Sequence, residues 1–124
     1  SNTTGFQNTA NGYQALYANT TGSQNTAYGS LALFSNTTGF FNAANGYQAL
    51  YFNTSGISNT ATGGNTLFNN STGSNNTANG ANSLFFNIYG QHACKDCIAA
   101  ILCSGGKYAV KTVFFQYAET FGEN

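Results

Sequence analysis

The sequence predicts an all-β fold: a parallel β-solenoid of about five 17-residue coils, with two short strands per coil and a C-terminal capping segment. Three observations carry this. Glycine recurs with a period of 17, as Gly5, Gly22, Gly39, Gly56, Gly73 and Gly90, and again as Gly12, Gly29, Gly46, Gly63 and Gly80. Four further columns keep the same beat without variation: Asn8, Asn25, Asn42, Asn59 and Asn76; Ala10, Ala27, Ala44, Ala61 and Ala78; Leu16, Leu33, Leu50, Leu67 and Leu84; Asn19, Asn36, Asn53, Asn70 and Asn87. The third observation is a break in composition. Residues 1–90 contain no Asp, Glu, Lys or Arg, whereas all six formal charges, the one His and all three Cys lie beyond them. The chain therefore divides into a repeat body, 1–90, and a charged tail, 91–124, that caps the body or joins subunits.

The unit reads T-T-G-x-x-N-T-A-x-G-x-x-A-L-(Tyr/Phe)-x-N. It is too short for a helix pair, which needs about 33 residues. Its Gly and Asn content is poor in helix interiors, and no 3.6-residue apolar spacing is present. N-T-A-x-G and A-L-(Tyr/Phe)-x-N are the expected strands, and glycine supplies the positive φ that the intervening turns need. Stacked coils advance about 4.8 Å each, so five make a rod body of roughly 24 Å. The Ala column suits a thin coil interior, and the two Asn columns are expected to form amide ladders along the axis. Leu and the following aromatic point to opposite faces, so one of them must face outward. Leu16, Tyr17, Leu33, Phe34, Leu50, Tyr51, Leu67, Phe68, Leu84 and Phe85 thus contain an apolar stripe. It either roofs the core or forms an association face about a twofold or threefold axis.

In the tail, Cys94 to Cys103 reads as a short helix and Tyr108 to Ala118 as a strand. Such a segment would cover the open strand edge of a solenoid. The chain begins inside a repeat and without Met, which suggests a cleaved leader, further coils upstream, or stacking on another subunit in a head-to-tail filament.

Composition narrows the function. A charge-free body offers nothing to a phosphate backbone, so no nucleic acid is expected as a partner. No run of 18 apolar residues exists, so no membrane insertion by a helix is expected. No convincing Ser–His–Asp or Cys–His set stands out, and the chain reads as a non-enzyme without cofactors.

The motifs Asn8-Thr9-Ala10-Asn11-Gly12 and Ala15-Leu16-Tyr17, with their repeats through residue 90, resemble the Gly/Asn-rich head repeats of trimeric autotransporter adhesins. They resemble still more closely the glycine/asparagine β-roll repeats of bacterial surface proteins and phage tail fibres. The resemblance implies a left-handed parallel β-roll, a homotrimer, and a place outside the cell, at a cell surface or in a virion fibre, with a host or surface receptor as a further partner. The adhesin coils are nearer 14 residues, against 17 here. The tail resembles no such family.

Several site readings follow. Asn2, Asn19, Asn36, Asn53 and Asn70 head Asn-X-Ser/Thr sequons at the coil period, and Asn69 and Asn75 add two irregular ones. The alternative is a purely structural turn ladder, because the Asn8 column is equally invariant without being a sequon. His92, Cys94, Cys97 and Cys103 are candidate zinc ligands; alternatively Cys94, Cys97 and Cys103 supply one disulfide and a spare thiol. Thr3, Thr20, Thr37 and Thr54, with Thr9, Thr26, Thr60 and Thr77, form Thr columns that an ice-binding face would also use. The expected function is a structural module of an extracellular fibre or filament built by stacking and lateral association. The alternatives are an adhesin or phage receptor-binding head, with Phe6, Gln24, Tyr28, Phe41 and Gly64 at its variable outward positions, and an ice-binding protein.

Overall fold

The computed structural model of the chain describes residues 2–91. The cap, the tail helix and strand, and the His92 and cysteine readings lie outside the described residues. The body is a β-solenoid. Its strands are β1 (Thr9–Asn11), β2 (Thr26–Tyr28), β3 (Ala43–Asn45), β4 (Thr60–Thr62) and β5 (Thr77–Asn79). They form one parallel sheet in the order β1-β2-β3-β4-β5. Every partner lies 17 residues away, as in Ala27↔Ala44, so the sequence period is the structural period.

Each strand is three residues long, shorter than the sequence suggests, because its two flanks are diverted. Before the strand, the Asn backbone N–H donates to the Asn side chain one coil back, as in Asn42 N to Asn25 Oδ1 at 3.0 Å. After it, Gly12, Gly29, Gly46, Gly63 and Gly80 turn the chain at φ 119–145°. A Cβ on Gly12, Gly29, Gly46 or Gly63 would also run into backbone of the next coil.

The segment A-L-(Tyr/Phe)-x-N is not a second strand. It is part of a double turn, closed in the second coil by Ala32 N to Gly29 O at 3.3 Å and Asn36 N to Leu33 O at 3.2 Å. Leu31 and Leu33 sit at φ 61° and 50°, in the left-handed region, which abolishes the pleat. The segment still pairs coil to coil through Leu33 N to Ala49 O and Ser35 N to Tyr51 O, both 3.0 Å. Two strands per coil are thus replaced by one strand and one stacked turn.

Three non-glycine columns occupy the left-handed region in every coil: those of Gln24, Leu31 and Leu33. Such backbone costs about 1–2 kcal/mol per residue. Apart from Gln7, Gln14 and Leu84 at the ends of the stack, these residues also donate their N–H to a neighbouring coil, as in Gln24 N to Phe6 O and Leu31 N to Tyr13 O. Stacking holds a conformation that one coil alone would not keep.

The apolar interior is thin. From the second coil on it comprises one buried Leu and two small residues, such as Leu50 with Ala44 and Ala49. In the last two coils Thr66 and Ser83 replace the second Ala, and both are buried. Their hydroxyls are satisfied by carbonyls, Thr66 Oγ1 to Gly80 O at 2.6 Å and Ser83 Oγ to Asn79 O at 3.1 Å.

Two substitutions of opposite sign test this backbone. Ser58 is exposed at φ 56°, so Ser58→Gly is expected to be neutral or to stabilise by about 0.5–1 kcal/mol. Thr60→Gly, in β4, is expected to destabilise by about 1 kcal/mol. Urea midpoints of the two variants check the pair of signs.

Candidate association edge and the amide ladders

Both invariant Asn columns form continuous amide ladders. In the first, the Nδ2 of Asn25, Asn42, Asn59 and Asn76 each donates to the Oδ1 one coil back at 3.0–3.3 Å. In the second, Asn19, Asn36, Asn53, Asn70 and Asn87 do the same at 2.8–3.2 Å, starting from Asn2.

The two ladders meet at the glycine that opens each coil. Gly39 O accepts from Asn25 Nδ2 at 2.8 Å and from Asn36 Nδ2 at 3.0 Å. Gly22, Gly56 and Gly73 repeat the arrangement. Both lone pairs of that carbonyl are used. This glycine series has no left-handed φ. A Cβ there would strike the Asn Oδ1 and the next glycine carbonyl, so close approach rather than turn geometry requires glycine.

The ladders correct the glycan reading. Asn19, Asn36, Asn53 and Asn70 are buried at 0–1 % exposure. Both hydrogens of each Nδ2 are already donated, one to the ladder and one to a glycine carbonyl. A glycan needs that nitrogen free and outside, so four of the five periodic sequons are structural. Asn2 alone in that column is exposed. The first Thr after each sequon Asn is also engaged: Thr3, Thr20, Thr37 and Thr54 donate Oγ1 to a backbone carbonyl one coil on at 2.9–3.1 Å. Those hydroxyls serve the coil, which leaves the exposed strand residues Thr9, Thr26, Thr60 and Thr77 as the outward Thr column.

The apolar stripe resolves into an inside and an outside. Leu16, Leu33, Leu50, Leu67 and Leu84 are buried in the core and leave the stripe, because the positive-φ turn aims them inward. Tyr17, Phe34, Tyr51, Phe68 and Phe85 remain at the surface. They stack face to face along the axis, with centroids 4.8–5.3 Å apart and interplanar angles of 5–11°. Their ring edges, not their faces, meet solvent.

Two further rings complete this edge, and sequence reasoning missed them. Phe52 packs edge-on against Tyr51 and Phe68 at 4.7 and 5.2 Å, and Phe86 against Phe85 at 4.8 Å. Both occupy the position after the aromatic column, where the other coils carry Ala18, Ser35 and Asn69. The signal was present as the only apolar variation in an otherwise small or polar column. Elsewhere Phe6, Tyr13, Tyr28, Phe41 and Tyr47 are more than half exposed. Gln24 is exposed too, whereas Gly64 is partly covered.

Among the described residues there is no group of His, Cys, Asp and Glu able to hold a metal, and no helix is long and apolar enough to cross a membrane. The fold defines a parallel β-solenoid with internal amide ladders and an exposed aromatic edge. Comparison with protein-family models, curated proteins and solved structures finds no match.

Replacing one ladder member tests the junction. Asn42→Ala removes the acceptor of the Asn59 backbone N–H and side chain, and is expected to cost about 3–5 kcal/mol. Asn42→Asp keeps the shape but places a carboxyl against Gly56 O and Asn25 Oδ1. Burial and these acceptors disfavour the charged form, so its folded pKa is raised above the unfolded value. The charge penalty is then absent below about pH 4, where only the loss of one N–H donor is felt, and it grows as pH rises from the unfolded value towards the folded one. Chemical denaturation of the variant against pH reads that slope.

Proposed function

We propose that this chain is a structural module of an extracellular fibre, built by stacking of its coils and by lateral association along its aromatic edge. The observation that carries the reading is the run of seven rings, Tyr17, Phe34, Tyr51, Phe52, Phe68, Phe85 and Phe86, in contact along one edge of a charge-free body. Contiguous exposed apolar surface of this kind marks an interaction site on a soluble protein. The buried chemistry supports rigidity, since every coil is hydrogen-bonded to the next by backbone and side chain alike. Placement outside the cell rests on the resemblance of the repeat to bacterial surface and phage-fibre β-rolls.

A second reading, a receptor-binding head, is favoured by the exposed rings away from the edge. Phe6, Tyr28 and Phe41 differ from coil to coil, as contact residues would. Binding of the purified chain to glycans or cells separates this reading from a purely structural one. A thermal-hysteresis measurement on the same material tests the ice-binding alternative carried by the outward Thr column.

For the leading reading, sedimentation velocity of the full chain over a concentration series is expected to show reversible association. Phe52→Asp with Phe86→Asp is expected to abolish it and keep the far-ultraviolet circular dichroism of the wild type. A wild-type chain that stays monomeric up to high micromolar concentration would overturn the proposal.

A further inference from the structure

We infer that the edge pairs with a second copy of this chain, antiparallel and about a twofold axis, in a register fixed by Phe52 and Phe86. The inference rests on the lateral-association reading above and adds the partner, its direction and its alignment.

The axial period identifies the partner. The edge presents ring edges every 4.8–5.3 Å over five coils. A facing surface stays in register along that length only if it has the same period, and a second copy has it by construction. It also brings no charge to the interface, because the body contains no Asp, Glu, Lys or Arg. Desolvation of an unpaired charge is therefore avoided.

The relief of the edge identifies the alignment. Numbering coils by their aromatic, the position beside it is raised in coil 3 by Phe52 and in coil 5 by Phe86, which are 43 % and 41 % exposed. It is low in coils 1, 2 and 4, where Ala18, Ser35 and Asn69 stand and are only partly exposed. A parallel, unstaggered pair sets ridge on ridge. A twofold axis between coils 3 and 4 sets Phe52 over the partner's Asn69 and Phe86 over the partner's Ser35, and the reverse. Among the described coils, other registers leave a Phe over a Phe or without a described coil opposite it. The twofold contact is also closed, so it ends at a pair. Four coils overlap, and the partly exposed rings there offer on the order of 50–80 Å² each. With their flanks the pair reaches the neighbourhood of the about 1,000 Å² that a specific interface needs.

An exchange of ridge and gap tests the register. Sedimentation velocity of the full chain under reducing conditions is the measurement, with circular dichroism to check folding. Ser35→Phe alone and Phe86→Ser alone are each expected to weaken the dimer about tenfold or more. The first sets two rings against each other, and the second removes one. The double variant restores the fit only in the antiparallel register, and its dissociation constant is expected to return to within about threefold of wild type. If Ser35→Phe disturbs the fold, Ser35→Leu with Phe86→Ala makes the same exchange with smaller groups. A wild-type monomer removes lateral association and the inference together. A wild-type oligomer whose double variant is no better than the singles, or a wild-type trimer, overturns the antiparallel register and leaves lateral association standing.

Discussion

The glycine carbonyl at the head of each coil is the point on which the solenoid depends. Two side-chain amides reach it, both from the coil before, one from each ladder. That shared acceptor ties the two ladders together and fixes the axial spacing of both. It also explains why three columns, one of Gly and two of Asn, cannot vary there. The glycine leaves no room for a Cβ, and each Asn supplies two donors and an acceptor at one length. With only one Leu and two small residues buried per coil, burial worth about 1.5–3 kcal/mol for the Leu does not order 17 residues by itself. Hydrogen bonds closed between coils contribute the remainder.

A consequence is that local and global preferences disagree in this chain, and the global one wins. Leucine at φ near 50° is a poor local choice. It persists because the same residue fills the core and bonds the neighbouring coil. Stability is therefore a property of contacts between coils, close to a nearest-neighbour chain. The polar interior works in the same direction. An Asn left without its partner is more costly in this setting than in water.

Much of the fold was legible because the repeat behaves as an internal alignment. The period, the solenoid, the parallel register, the amide ladders and the opposition of Leu to the aromatic all follow from columns. Three things were hidden, each for a physical reason. The segment around Leu33 looks like a strand because two short strands fill a 17-residue coil, yet inter-coil bonds hold it in left-handed turns. The Asn19 column looks like a row of glycan acceptors, since a sequon records neither burial nor hydrogen-bond partners. Phe52 and Phe86 stand in a variable column, and their significance lies in contacts with rings of adjacent coils.

The 17-residue step described for the sheet has a bearing on how such a chain changes over generations. Duplicating or deleting one whole unit in the middle of the body leaves every remaining neighbour with the partners it had, since each contact reaches one coil forward or back. Inserting a single residue shifts two ladders, the core column and the ring stack at once. Rod length is thus free to drift in whole steps while the interior stays fixed. The outer relief, such as the alternation of Phe and small residues along the aromatic edge, and the buried Thr66 and Ser83 record which coil is which.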